Sequence, residues 1–241
     1  MGTYTGTGFA KYQVSNQKPY PPTPSDGNGV SWNHCTGFQA TSLPTFHWNY
    51  SDPEGDPQQS YQIQIDDDKP ETPPFTDSGD SSSPSYTPPT TPWKTWMHWN
   101  TDYWWQVKVK DDKGNWSDWS TSTLFASPSH AAPWPDFSPS KERISQNEVI
   151  TFYDNSQCYL SGDTALPCRD LDVTYEWDFD YIEPDFTIDK TTKGNTTWSY
   201  TLLGAHKVKL RITDNLATCY SETETVTVTL PLPRWWEIPP F

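Results

Sequence analysis

The stretch that decides the fold is Val173-Thr-Tyr-Glu-Trp-Asp-Phe-Asp180, answered further along the chain by Gly204-Ala-His-Lys-Val-Lys-Leu-Arg-Ile-Thr-Asp214. Both stretches alternate between two kinds of side chain. In the second stretch, one set is His206, Val208, Leu210 and Ile212, and the other is Lys207, Lys209 and Arg211. A two-residue period is that of a β-strand with one buried and one solvated face. The sequence therefore predicts two strands of a sandwich.

The residues around these strands are similar to those of a known family. Trp177-Asp-Phe179, followed by a Gly-led strand that closes on Asp214, resembles the PKD domain, an immunoglobulin-like sandwich. Asp180 stands where that family has Gly, Trp198-Ser-Tyr200 where it has His-Thr-Tyr, and Ala205-His206 where it has a second Tyr. The resemblance covers residues 133–230 and implies the fold there. It implies no particular activity, because one sandwich scaffold hosts many functions.

Composition indicates an all-β chain with two immunoglobulin-like β-sandwich domains in tandem. The 241 residues include 14 Trp, 13 Tyr and 10 Phe, which supply core volume, while 24 Pro disfavour long helices. The formal net charge of −15 makes nucleic acid and anionic membrane surfaces poor partners. No apolar run approaches the roughly 20 residues of a membrane span. We therefore expect no nucleic acid partner and no membrane span.

A first sandwich is predicted over residues 31–127. Phe46, Trp48 and Tyr50 alternate with polar residues, and so do the strands that follow. Thr101-Asp-Tyr103 and the closing Trp116-Ser-Asp-Trp-Ser120 resemble a bacterial fibronectin type III-like module. The resemblance implies a second immunoglobulin-like scaffold. In it, Thr101-Asp-Tyr103 would lie at the tyrosine corner, and Trp116-Ser-Asp-Trp-Ser120 would belong to the final hairpin.

The remaining segments are predicted to be connections and termini. Residues 1–30 are expected to form an extended linker or an edge strand, residues 128–132 a linker, and residues 231–241 a Pro/Trp-rich tail. Trp235 and Trp236 in this tail are expected to dock on a partner or on the chain's own sheet edge. The order of modules resembles the C-terminal end of large bacterial cell-surface proteins. That resemblance implies an extracellular location and a fragment of a longer precursor.

Four cysteines in so polar a chain indicate an oxidising compartment. Four cysteines allow three pairings. Cys158 and Cys168 are close in sequence and fall in one predicted loop, which favours a local bond between them. Cys35 and Cys219 then remain to form a bond that would hold the two sandwiches as one stiff rod. A zinc site is the alternative, but no Cys-x-x-Cys spacing supports it.

Acidic residues cluster in two predicted loops of the first sandwich. They are Asp52, Glu54 and Asp56 in one loop, and Asp111 and Asp112 in the other. A Ca²⁺ ion held by these carboxylates would offset their repulsion. The alternative, which we favour, is that the acidic residues are solvated and shape the turns.

A tryptophan-rich run is a second candidate site. Trp93, Trp96, Trp99 and Trp104 could form a platform on which sugar rings stack, or they could pack against the sandwich. Trp105 shares a face with apolar residues and is expected in the core, whereas Trp104 is expected to face outward. We favour packing for most of this run.

Catalytic patterns are weak, and we expect no enzyme activity. Gly79-Asp80-Ser81 lacks the glycines of a serine-protease site, and no histidine lies in a fitting context. The basic stripe on the second strand is expected to form ion pairs with Glu176 and its neighbours.

The leading hypothesis is a non-catalytic structural or adhesion module at the cell surface, a stiff spacer and binding scaffold for protein or glycan. A carbohydrate-binding accessory module of an exported hydrolase and a filament subunit that self-associates through its termini are the alternatives.

Overall fold

The computed structural model describes residues 15–35, 43–67, 74–89 and 97–231. These residues form two compact units that are not consecutive in sequence. The first consists of residues 15–30, 46–67, 74–86 and 102–125, and the second of 31–35, 43–45, 87–89, 97–101 and 126–231. Within the described residues, helical structure is limited to one 3-10 turn at Cys168–Asp170.

Two sheets build the first sandwich. One has the order β1-β3-β2 with β6 also paired to β3, and its strands are β1 (Thr23–Pro24), β2 (Val30–Asn33), β3 (Leu43–Asn49) and β6 (Ser85–Tyr86). The other has the order β5-β4-β7-β8, with β4 (Gln58–Asp66), β5 (Phe75–Asp80), β7 (Asp102–Asp111) and β8 (Thr123–Ala126). β1 is a two-residue strand at the edge of its sheet, and the assignment of residues 1–30 as a linker or an edge strand stays a prediction.

Aromatic side chains join these two sheets. Phe46 of β3 lies 5.2 Å from Trp105 of β7 and 5.3 Å from Phe125 of β8, measured between ring centroids. Pairs at this distance stabilise a core beyond the area they bury. Trp48, two residues along β3, is also buried, because alternate residues of a strand share a face.

The second unit is also a sandwich of two main sheets. One has the order β10-β18-β16-β14 with β17 also paired to β16, and its strands are β10 (Arg143–Ser145), β14 (Thr174–Asp178), β16 (Gly204–Thr213), β17 (Thr218–Tyr220) and β18 (Glu224–Thr229). The other has the order β15-β11-β9, with β9 (Phe137–Pro139), β11 (Val149–Asp154) and β15 (Thr196–Ser199). A small hairpin joins β12 (Gln157–Tyr159) and β13 (Ala165–Pro167).

The predicted alternation is confirmed in the core of this unit. β16 buries its apolar set, and Trp177 of β14 lies opposite Leu210 of β16 in an antiparallel register. Trp177 contacts Phe137 of β9 and Phe152 of β11 across the sandwich, at centroid distances of 5.2 and 6.1 Å. The all-β, immunoglobulin-like fold class is thereby confirmed.

The segment 128–132, predicted as a linker, packs into the second unit. Ala131 and His130 are buried, and the Ala131 N–H donates to the Gly162 carbonyl at 2.8 Å. His130 also forms an isolated bridge with Gly162. An open linker would leave this backbone to water, so its ordering here reflects specific hydrogen bonds that composition does not reveal.

Candidate functional site

Two disulfide bonds hold the second unit. Cys158 of β12 bonds to Cys168 in the 3-10 turn, and Cys35 bonds to Cys219 of β17. The Cα–Cα separations of 4.7 and 5.5 Å lie within the range that a disulfide spans without backbone movement. These are the two pairings that the sequence predicts, and no cysteine is left free.

The Cys35–Cys219 bond lies in a region of buried polar groups. His130 Nδ1 lies 2.8 Å from the Ala131 carbonyl and 3.9 Å from Asp214 Oδ2, and its Nε2 lies 3.1 Å from Asn215 Oδ1. Burial lowers the pKa of His34, and His130 adds to this while the Asp214 carboxylate opposes it. The segment 128–132 is therefore fixed by hydrogen bonds, and its His130 ring lies beside the Asp214 carboxylate on the turn after β16.

The acidic loops of the first unit are built as turns. Asp52 Oδ1 accepts the N–H groups of Glu54 and Asp56 at 2.9 and 3.1 Å. Asp111 Oδ1 accepts those of Lys113 and Asn115 at 2.9 and 2.8 Å. An aspartate that bonds its own backbone two residues on is a standard turn device. In each loop, one aspartate oxygen is therefore engaged by the backbone N–H groups of that loop.

A lysine neutralises part of the remaining charge. Lys113 Nζ lies 2.8 Å from Asp112 and 3.4 Å from Asp56. Across the described part of the chain, no group of three or more His, Cys, Asp or Glu is arranged to hold a metal ion. Calcium binding by Asp52, Glu54, Asp56, Asp111 and Asp112 therefore stays a prediction without a ligand cluster to support it.

These contacts shift two pKa values. Burial alone would raise the pKa of the Asp111 carboxyl, but hydrogen bonds from Asn115, Asn16 and Lys113 outweigh it and hold that pKa below its ordinary value. Burial, together with the charges of Asp52 and Asp111, raises the pKa of Tyr50 to about 12.

The tryptophan platform is only partly described. Trp93 and Trp96 lie outside the described residues, as do Trp235 and Trp236 of the tail. Trp99 is half-buried beside Gly162, where an added Cβ would lie 3.4 Å from its ring. Trp104 is 36% exposed and Trp105 is 1% exposed, as the alternation of β7 predicts. Whether these four tryptophans act together stays a prediction.

A ladder of cations and indoles was not foreseen from the sequence. Lys108 Nζ lies 5.1 Å from the Trp116 ring centroid and 4.9 Å from that of Trp119, and Lys110 Nζ lies 5.5 Å from Trp116. Such contacts are favourable because the ring face is electronegative. The available signal was the period-2 spacing of the two lysines, which places both on the outward face of β7 together with Trp104.

Serine hydroxyls hold this ladder on the strand. Ser117 Oγ accepts the Val109 N–H, and Ser120 Oγ accepts the Val107 N–H, both at 3.0 Å. The backbone N–H groups of the same serines donate to the Val109 and Val107 carbonyls at 2.8 Å. The Trp116-Ser-Asp-Trp-Ser120 run therefore pairs with β7 through its serines and presents its indoles to the lysines.

The basic stripe of β16 forms the ion pair that was expected. Arg211 Nε lies 2.6 Å from Glu176 Oε2 on the neighbouring strand β14. Arg211 also lies 4.4 Å from the ring of Phe186, and Lys209 Nζ lies 4.3 Å from that of Tyr181. Arg211 and Lys209 of the stripe thus contact charged and aromatic side chains of their own unit.

The comparison with family models supports an immunoglobulin-like domain. The family model described as "Rha78A-like, N-terminal immunoglobulin domain" matches residues 34–127, which is less than half of the chain. Among solved structures, the third fibronectin III domain of the human KIAA0343 protein is 17% identical, with a TM-score of 0.31. That alignment covers 51% of this chain and 94% of the other. No curated protein matches the chain. Among the described residues, no helix has the length and apolar character needed to cross a membrane.

Proposed function

We propose that this protein is a non-catalytic structural and adhesion module exposed outside the cell. The observation that carries the proposal is the pair of disulfides, because such bonds persist in oxidising compartments and are rare in the cytosol. The immunoglobulin-like domain matched over residues 34–127 is a common extracellular scaffold. In this proposal the loops offer binding surface for protein or glycan.

The proposal includes a role as a stiff spacer. The Cys35–Cys219 bond lies within the second unit and joins residues 184 positions apart in sequence, and the segment 128–132 is held in the same unit by backbone hydrogen bonds. Both features remove conformational freedom from the second unit. We further propose that residues 133–230 form a PKD domain, which rests on Trp177, Phe179 and the Gly-led strand β16.

Surface labelling of intact cells of the source organism tests the location. A membrane-impermeant amine reagent is expected to modify exposed lysines such as Lys18 and Lys141 before the cells are broken. A cytoplasmic protein followed in the same sample is the control and should stay unlabelled. Labelling of this protein only after lysis would contradict an extracellular role.

A second candidate is a carbohydrate-binding accessory module. The observation that favours it is the exposure of two indoles, those of Trp104 and Trp116, at 36% and 38%. If they stack on sugar rings, insoluble chitin or cellulose should retain the protein, and Trp104→Ala should reduce retention. Tyr153→Ala, which removes an exposed aromatic of the second unit, is the control. Equal retention of both variants would leave the indoles without this role.

The third candidate, self-association through the termini, falls partly on residues 1–14 and 232–241, which lie outside the described ranges. It stays a prediction that sedimentation of the purified protein can test.

A further inference from the structure

His206 joins three segments of the second unit. It lies buried on β16, between the chain just after β14 and the β15–β16 turn at residues 200–203. Its Nδ1 lies 3.0 Å from Asp180 Oδ1, and its Nε2 lies 3.1 Å from the Leu202 carbonyl oxygen. Its ring stacks on that of Tyr200 at a centroid distance of 4.3 Å. The imidazole is therefore held at both nitrogens and on one face.

Both ring nitrogens of His206 face groups that can only accept a hydrogen bond. A carboxylate and a backbone carbonyl supply no proton, and a neutral imidazole carries a proton on one nitrogen only. Either neutral tautomer would place a nitrogen lone pair against an oxygen, whereas the imidazolium donates to both oxygens. Turning the ring over would direct C–H groups at the same oxygens and lose both hydrogen bonds. The contacts therefore fit the protonated ring.

His130, which is also buried in this unit, is not constrained in this way. Its Nδ1 lies 2.8 Å from the Ala131 carbonyl, so that nitrogen donates. Its Nε2 lies 3.1 Å from Asn215 Oδ1, but a side-chain amide can turn and donate from its nitrogen instead. A neutral His130 can thus keep both hydrogen bonds, and a neutral His206 cannot.

The carboxylates near His206 come from the two segments that follow β14. Asp180 contacts the ring directly. Asp178 and Asp189 lie near by, but they accept backbone N–H groups of Thr187 and Asp180 and of Phe179. Burial raises the pKa of Tyr200, and the charges of Asp180, Asp189 and Asp178 raise it further, so the phenol against the ring stays neutral.

The remaining neighbours of the ring supply no group that competes for its protons. Val226 of β18 lies opposite His206 in the antiparallel register, and Glu224, two residues before it, is exposed. Lys207 lies on the other face of β16. Histidine is the side chain that ordinarily changes charge between about pH 5 and pH 8. The contact to Leu202 therefore depends on a proton that this pH range can remove.

We propose that His206 is a pH switch for the β15–β16 turn, whose protonated ring holds the turn against the chain after β14. A carboxylate is the stronger acceptor, so a ring that releases one proton to solvent keeps Nδ1–H directed at Asp180 and loses the Nε2–H that it donates to Leu202. Leu202 and Leu203 are 68% and 49% exposed, so the switch controls how firmly an apolar surface pair is held. This regulation goes beyond the function proposed above and does not depend on it.

Nuclear magnetic resonance titration of the full chain between about pH 5 and pH 8 tests the proposal. At the acid end both ring nitrogens of His206 should carry protons, and at the alkaline end only Nδ1 should. The carbonyl carbon signal of Leu202 should shift with the same midpoint as the ring, and the order parameter of the Leu203 amide should fall as the pH rises. An unprotonated Nε2 at the acid end, or a Leu202 signal that does not follow the ring, would overturn the proposal.

Three variants separate the switch from general effects of pH. His206→Phe keeps an aromatic ring against Tyr200 without a donor, so the pH dependence of the Leu202 signal should disappear. His98→Phe, at an exposed histidine of the same unit, is the matched control and should keep it. Asp180→Asn leaves the imidazole in place at a position whose side chain is 64% exposed, and the midpoint should move to lower pH because a carboxylate favours the imidazolium. Retained pH dependence in His206→Phe, or an unchanged midpoint in Asp180→Asn, would contradict the assignment.

Discussion

Alanine at Gly29 is expected to destabilise the first sandwich far more than alanine at Gly27. Both glycines have positive φ, +70° and +76°. A Cβ on Gly29 would lie 2.6 Å from the His47 carbonyl oxygen and 2.8 Å from Cζ2 of Trp105, whereas a Cβ on Gly27 meets nothing within 4 Å. Trp105 is held in place because its Nε1–H donates to the Asn28 carbonyl at 3.0 Å.

The magnitude follows from two separate costs. A left-handed backbone costs a non-glycine residue about 1–2 kcal/mol, and both variants incur it. Gly29→Ala adds the overlap with a backbone oxygen and a fixed indole, and overpacking of this kind costs about 1–3 kcal/mol. The loss of chain entropy in the unfolded state offsets up to about 1 kcal/mol in either variant. We expect Gly29→Ala to cost about 3 kcal/mol and Gly27→Ala about 1 kcal/mol.

Hydrogen exchange followed by mass spectrometry is the suitable assay, because the chain has two units and global unfolding need not be two-state. Peptides that contain β3 and β7 should lose protection in Gly29→Ala and keep most of it in Gly27→Ala. Peptides from β14 and β16 report any effect elsewhere. Equal loss of protection in the two variants would show that the close approach at Gly29 does not exist in solution.

Two further predictions concern polar residues of the first unit. Gln58 is buried, accepts the Trp48 Nε1–H and donates to two backbone carbonyls. Gln58→Leu should therefore lower the free energy of unfolding by about 3 kcal/mol in chemical denaturation, whereas Gln59→Leu, at an exposed position, should be nearly neutral. Equal effects of the two variants would refute this. Asp111 has a lowered pKa in the folded state, so its contribution is present above the ordinary carboxyl pKa and is lost as pH falls through the folded value. Acid melts of Asp111→Asn should therefore show a weaker loss of stability below about pH 4 than the wild type, and identical pH profiles would contradict the assigned hydrogen bonds.

The strands of the second core could be predicted because their pattern is local. In β16, each residue's face follows from its parity, and burial of Val208, Leu210 and Ile212 requires no knowledge of the partner strand. The Cys158–Cys168 pairing was predicted from the closeness of the two residues in sequence, and Cys35 and Cys219 were then the two that remained.

The sites could not be predicted because they depend on contacts between distant segments. In the sequence, Asp111 fits both a calcium ligand and a turn residue, and the hydrogen bonds that it accepts from the Lys113 and Asn115 N–H groups depend on the folded loop. His206 appears in the sequence as one member of the buried set of an alternating strand. That both of its ring nitrogens face acceptors, on Asp180 and Leu202, depends on packing that no periodicity encodes.

The ladder of Lys108, Lys110, Trp116 and Trp119 could be predicted in part. The sequence indicates the hairpin and the outward face of each lysine, but not that the indoles fold back over them. That placement needs the hydroxyl bonds of Ser117 and Ser120 to β7. A hydrogen bond from a backbone N–H to a serine hydroxyl on a neighbouring segment can be identified only when the positions of both segments are known.

Non-reducing peptide mapping of the protein taken from its source is the most direct test of the central claim, which is a disulfide-bonded module outside the cell. Alkylation before digestion should modify no cysteine. Mass spectrometry should then find one peptide pair that links Cys35 to Cys219 and one peptide or pair that links Cys158 to Cys168. A free thiol at Cys35, or a bond between Cys158 and Cys219, would contradict both the pairing and the oxidising location that it supports.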